Sequence, residues 1–272
     1  MTSRPKTRTS LGVAAAVVWM ALLLGLYYWV HKPITPPLAR AAGGAVLDIA
    51  LAGATVALAG GIGRRLLRPL DLAPWSVPEQ RAVEALFGLG ALSLAMMAVG
   101  AAALRPWSVA ALALALGAVA GREAVAWARG LAGWAREARP GGGWPGFLAW
   151  ASAALLIMAL VMATLPPAMW DVLTYHLAGP QDYVREGRFY AVPDNHFLGF
   201  PQLVDTLYAG LLALTGRLTA AGPLHWAIGG LALLATGGCA ARYGGAAAGW
   251  VAVIAVLVSR TIWLEMTFAY VD

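Results

Sequence analysis

Long apolar runs recur along this chain, several of them near or beyond the ~18 residues that cross a ~30 Å hydrocarbon layer. Few folds accommodate such runs. Lipid offers no partner to backbone N–H and C=O groups, so spanning segments must be helices or closed barrels. Barrel strands alternate apolar and polar residues. Residues 11–30, 147–165 and, Asp48 apart, 43–62 are apolar without such alternation, which excludes a barrel. Composition agrees: 60% of residues are hydrophobic and 12% charged, against about 25% charged in a soluble domain. The expected fold is an all-α, polytopic membrane helix bundle of about seven spans, with an external loop that contains surface helices.

The formal charge of +6 does not point to nucleic acid, because the basic residues sit in short connectors where they set topology. The single cysteine, Cys239, excludes an intrachain disulfide. Arg4, Lys6 and Arg8 precede the first apolar run, which is long for a signal peptide and lacks a small-residue cleavage site. A retained first helix with a cytoplasmic N-terminus is expected. Residues 43–62 return inward, with Asp48 near their outer end as a polar packing contact. Arg64, Arg65 and Arg68 mark a cytoplasmic loop. Residues 82–104 and 109–120 form the next two spans, so residues 1–145 hold about four. Residues 122–139, with Trp127 and Trp134, suit an interfacial amphipathic helix. A fifth span covers 147–165.

Parity and charge bias then place residues 166–221 outside. This is the one long polar interval, and it carries Asp171, His176, Asp182, Asp194, His196 and Asp205 among aromatic residues. Residues 203–214 are apolar but short, and read as a helix lying at the outer surface. Residues 223–240 cross inward, Arg242 and Tyr243 lie at the turn, and residues 246–258 start back outward. Asp272 is thereby returned to the face that carries Asp171.

Pro166 and Pro167 end the fifth helix, and Trp170 sits where aromatic residues anchor at the membrane boundary. Asp171 follows. A partly desolvated carboxylate there is a candidate proton acceptor, and equally an N-cap. If 171–183 is helical, Asp171 and Tyr175 share a face at i,i+4 with His176 further round. Asp194 and His196 flank a polar turn and are candidate ligands or turn residues; their spacing fits no metal motif. Asp182, Glu186 and Asp205 read as solvated or surface-helix residues. Asp272, at the membrane edge, is a functional candidate. No nucleophile elbow, Walker loop, HExxH or Rossmann glycine pattern is present.

The order Trp170-Asp171, Thr174-Tyr175-His176-Leu177, Gly187-Arg188-Phe189, Pro193, Asn195, Phe200-Pro201-Gln202, Leu207-Tyr208 resembles the first external loop of bacterial GT-C glycosyltransferases. These are the multi-spanning enzymes of the protein-mannosyltransferase and lipid A aminoarabinose-transferase groups. Residues 240–244 resemble their cytoplasmic turn, and 269–272 their second external acid. The resemblance covers about residues 165–272. It implies an enzyme of the bacterial plasma membrane that takes sugar from a polyprenyl-phosphate donor at the extracytoplasmic face. A lipid, glycan or protein would be the acceptor, and no cofactor or metal is implied. Asp171 would be general base toward the acceptor hydroxyl and Asp272 would orient the acceptor. Tyr175, His176, Asp194, His196 and Arg188 would line the substrate site. Val172 departs from relatives that carry a second acid at that position. Arg185, Arg188, Arg217 and Arg260 are the available cations for the donor phosphate. Relatives continue through further helices, so the chain is expected to be the N-terminal portion of such an enzyme. Two other classes remain open: a lipid or sugar transport protein, and a non-catalytic membrane subunit.

Overall fold

The structure, a computed structural model, describes residues 7–32, 35–70, 74–138, 142–199 and 202–270. Among these the chain is helical, with no strand. It divides into two compact units, Met1–Val46 and Leu47–Asp272. The first holds α1 (Thr7–His31), on which Trp19, Leu26 and Trp29 are exposed, together with the start of α2 (Pro36–Leu66).

The second unit holds the rest of α2, then α3 (Val77–Ala102), α4 (Pro106–Glu137), α5 (Gly143–Ala163), α6 (Ala178–Glu186), α7 (Leu203–Thr215), α8 (Ala221–Leu257) and α9 (Arg260–Thr267). Five segments are long and apolar enough to cross a membrane: Pro36–Leu66, Val77–Ala102, Pro106–Glu137, Gly143–Ala163 and Leu218–Leu257. The protein is accordingly read as an integral membrane protein.

Helices in lipid gain little from hiding apolar groups, so close approach through small residues holds them together. The contact between α2 and α3 is reciprocal. A Cβ on Gly63 would strike the Glu84 carbonyl oxygen, and one on Gly88 would strike that of Ala59. Gly61 lies against the Ala120 and Ala124 backbone of α4, and Gly60 against the Trp127 ring. Gly222 of α8 likewise meets the Ala163 carbonyl of α5.

Two expectations about elements are corrected. Residues 122–137 continue α4 rather than forming a separate interfacial helix. Trp127 is 3% exposed, and its Nε1 donates to the Arg81 carbonyl at 3.0 Å. The segment expected to lie at the surface, α7, packs among α3, α4, α6 and α8. Its residues from Asp205 to Leu211 are all buried.

α8 is two limbs. At Gly245 the backbone takes φ 79°, ψ 177°, and a Cβ on Gly249 would sit 2.8 Å from the Gly237 carbonyl oxygen. In a straight helix those residues would be roughly 18 Å apart, so the chain doubles back. The return, residues 246–257, rises roughly 18 Å, and the 8 residues of α9 add about 12 Å. Together they match the ~30 Å of a hydrocarbon layer. This broken path runs beside α5, where Trp263 Nε1 donates to the Leu155 carbonyl at 3.1 Å.

The bundle thus has two distinct ends. At one, Arg242 beside the α8 turn pairs with Glu79 at the start of α3, Nη2 to Oε1 at 3.0 Å. At the other, Gly100 near the end of α3 receives the Phe189 ring and accepts from the Phe189 N–H at 2.8 Å. The polar interval sits at this second end.

Candidate functional site

Proline shapes the entrance to the site. Pro166 and Pro167 follow the end of α5, and a new helical turn opens at Trp170. Pro180 lacks an N–H, and its ring would crowd the carbonyl of residue 176 in a regular helix. The chain answers with a π-helical turn over Val172–His176, closed by the Leu177 N–H on the Val172 carbonyl at 2.8 Å. α6 then restarts at Ala178, where a proline in the first turn is tolerated. Such wide turns gather at functional positions.

Tyr270 Oη donates to Asp171 Oδ2 at 2.7 Å, reaching in from the segment after α9. The Tyr270 ring lies 5.5 Å from the His176 ring. The His176 ring continues this connection. Tyr175 stacks on Phe197 with centroids 5.1 Å apart and also touches His176 at 4.1 Å.

Behind His176 stands Asp205 of α7. The two are each 3% exposed, with His176 Nδ1 3.3 Å from Asp205 Oδ1. Asp205 was expected to be solvated. Burial of α7 carries it inside, where a carboxylate persists only with a partner. One turn on, Tyr208 Oη meets His225 Nδ1 of α8 at 2.8 Å.

The other predicted residues divide clearly. Asp194 is exposed in a turn, and exposed His196 packs its ring 4.0 Å from Phe197. Asn195 holds that turn, donating from Nδ2 to the Thr174 carbonyl at 2.8 Å and accepting from the Phe197 N–H at 3.2 Å. Arg188 is 60% exposed and pairs with Glu186 at 3.6 Å, outside the Asp171 cluster. Asp182 pairs with Arg185 at 2.8 Å on the solvated face of α6, as expected. Burial, with Asp205 nearby, pushes the Tyr183 phenol up, so it stays protonated and donates to Gln202 Oε1 at 3.0 Å. Asp272 lies outside the described residues.

Arg217 is corrected as a phosphate ligand. Asp48, fully buried on α2, takes it in a fork: Nε to Oδ1 and Nη2 to Oδ2, both at 3.0 Å. The Thr219 hydroxyl adds 2.6 Å to Oδ2. This is the helix-packing role expected of Asp48. Among the described residues no group of three or more His, Cys, Asp or Glu converges as a metal site would require.

Sequence reading missed Tyr270, Asp205, Tyr208 and His225. A signal existed for Asp205: an isolated carboxylate in an apolar helix, with a tyrosine three residues on, marks a side chain with a buried partner.

No protein-family profile matches this chain, and neither a curated protein nor a solved structure resembles it significantly.

Proposed function

We propose that the protein is a membrane glycosyltransferase of GT-C type, with Asp171 as general base toward an acceptor hydroxyl and a polyprenyl-phosphate sugar as donor. The observation that carries the reading is the Tyr270–Asp171 hydrogen bond. It joins the acid of the first polar loop to the segment that leads into the second acid, at one end of the bundle. On this reading α1 and the broken return through α9 complete about seven spans, and residues 166–221 face the extracytoplasmic side.

The chemistry is economical. A lipid phosphate is already a good leaving group, so the demand falls on deprotonating the acceptor as it attacks. Asp171 is half-buried and has one oxygen engaged by Tyr270, so Oδ1 is the oxygen that would face the acceptor. Phe197 and Trp170, 5.9 Å apart and edge to face, form an aromatic wall beside it suited to a sugar ring.

Transport is the second reading, favoured by the breaks at Gly245 and between α8 and α9, since transporters build sites from interrupted helices.

The test is sugar transfer from polyprenyl-phosphate donors in proteoliposomes. Loss of a general base costs about 10²–10⁴-fold, so Asp171→Asn should reduce transfer by at least 100-fold at equal protein level. Undiminished transfer would remove Asp171 from the mechanism. Downhill sugar or lipid flux without transfer would favour the transport reading.

A further inference from the structure

We infer that Asp205 and His176 form a buried positioning pair that sets Tyr270, and through it Asp171, for reaction; this rests on the glycosyltransferase reading for its catalytic consequence, but not for its structural one.

Four side chains from three parts of the chain stand in series. Asp205 of α7 touches His176 of the π-helical turn, the His176 ring faces Tyr270, and the Tyr270 hydroxyl holds Asp171. Asp205 lies deep between helices, away from the exposed polar face of α6, and a buried carboxylate is costly to keep without a purpose. Its Oδ1 receives the Nδ1 proton of His176, because an ionised carboxylate only accepts. The imidazole is thereby fixed in ring orientation and in tautomer. A fixed ring offers Tyr270 one face, tilted by 56°, and leaves its hydroxyl on Asp171 Oδ2. The Asp171 oxygen left for the acceptor is then set by Asp205, which does not touch the acceptor.

The second histidine supplies an internal reference. His225 Nδ1 lies 2.8 Å from the Tyr208 hydroxyl, in a setting separate from that of His176, whose Nδ1 faces Asp205. The protein has four histidines, and the other two are His31 and His196. One spectrum of ring-13C,15N-histidine protein in detergent can therefore resolve both buried rings, assigned by His176→Gln and His225→Gln.

The decisive comparison is wild type against Asp205→Asn. We expect His176 to lose its Nδ1–H signature while the His225 signals stay in place, which shows that the fold survived. In the transfer assay kcat should fall about 10- to 100-fold, the usual cost of a small misplacement of reacting groups, with KM unchanged. Tyr270→Phe, a change nearer the surface, should lower kcat equally and leave the His176 tautomer untouched, ordering Tyr270 after His176. An unaltered His176 tautomer in Asp205→Asn would overturn the pair, and wild-type kcat in both variants would overturn its positioning role. Loss of transfer in Asp171→Asn bears on the base instead, so the two readings fail separately. The spectroscopic arm decides the pair whether or not sugar is transferred.

Discussion

Asp48 shows what a single buried charge does in this bundle. It is fully enclosed, and Arg217 and Thr219 satisfy both of its oxygens. Removing one member of a buried pair strands the other, at about 3–5 kcal/mol. Arg217 is one-third exposed, so Arg217→Ala should destabilise toward the lower end of about 3–5 kcal/mol. Asp48→Asn/Arg217→Met should recover most of that loss, because neither residue then carries charge. Unfolding midpoints in detergent would measure both, and a harmless Arg217→Ala would show that Asp48 is held otherwise. The polar contact at Asp48 was legible in the sequence, since a lone acid in an apolar span must find a partner. Its identity was not, because Arg217 lies 169 positions away. Asp205 failed to read for a related reason. A lone acid in an apolar helix signals a buried partner, but which partner depends on where α7 packs, and that is set by residues elsewhere in the chain.

At the scale of elements, hydropathy locates helices but does not say what they face. The apolar runs near 11–30, 43–62, 82–104 and 147–165 all appear as helices, because they are long. α4 and α7 were misread. In a membrane bundle, lipid and neighbouring helices select the same apolar residues, so a buried helix and a surface one look alike. Trp127 is as suited to a bilayer interface as to the pocket against Gly60 that it fills. Glycine carries the information that hydropathy lacks. Gly63→Leu forces α2 and α3 apart at their closest approach and should cost at least about 1–3 kcal/mol, the usual penalty of overpacking. Gly245→Ala should cost about 1–3 kcal/mol for a different reason, since its φ and ψ belong to a region nearly confined to glycine. Gly230→Ala is the control: a Cβ there meets nothing within 4 Å, and stability should hold or rise. Equal unfolding midpoints for the three variants would undo the claim that glycines set these contacts.

At the scale of the whole molecule, the two ends of the second unit differ in chemistry. One carries the Arg242–Glu79 pair beside the Gly245 turn, and the other carries the Asp171 cluster. Glu79 and Gly100 are 21 positions apart on α3, roughly 32 Å along its axis, which is enough to separate the two faces of a bilayer. The orientation proposed above puts the first end, with Arg64, Arg65 and Arg68 near it, on the cytoplasmic side, where the positive-inside rule favours arginine. The consequence is open to direct measurement. With the native thiol removed by Cys239→Ala, single cysteines are introduced by Tyr243→Cys and Asp194→Cys, both at exposed positions. A membrane-impermeant maleimide added to intact cells should label the Asp194→Cys protein and spare the Tyr243→Cys protein, and inside-out vesicles should reverse the pattern. Labelling of both from the cytoplasmic side would place Asp171 where an extracytoplasmic transferase cannot use it. Labelling of both from outside would mean that α3 does not cross. Only opposite labelling keeps a spanning α3 together with an external Asp171, and the base proposed at Asp171 needs both.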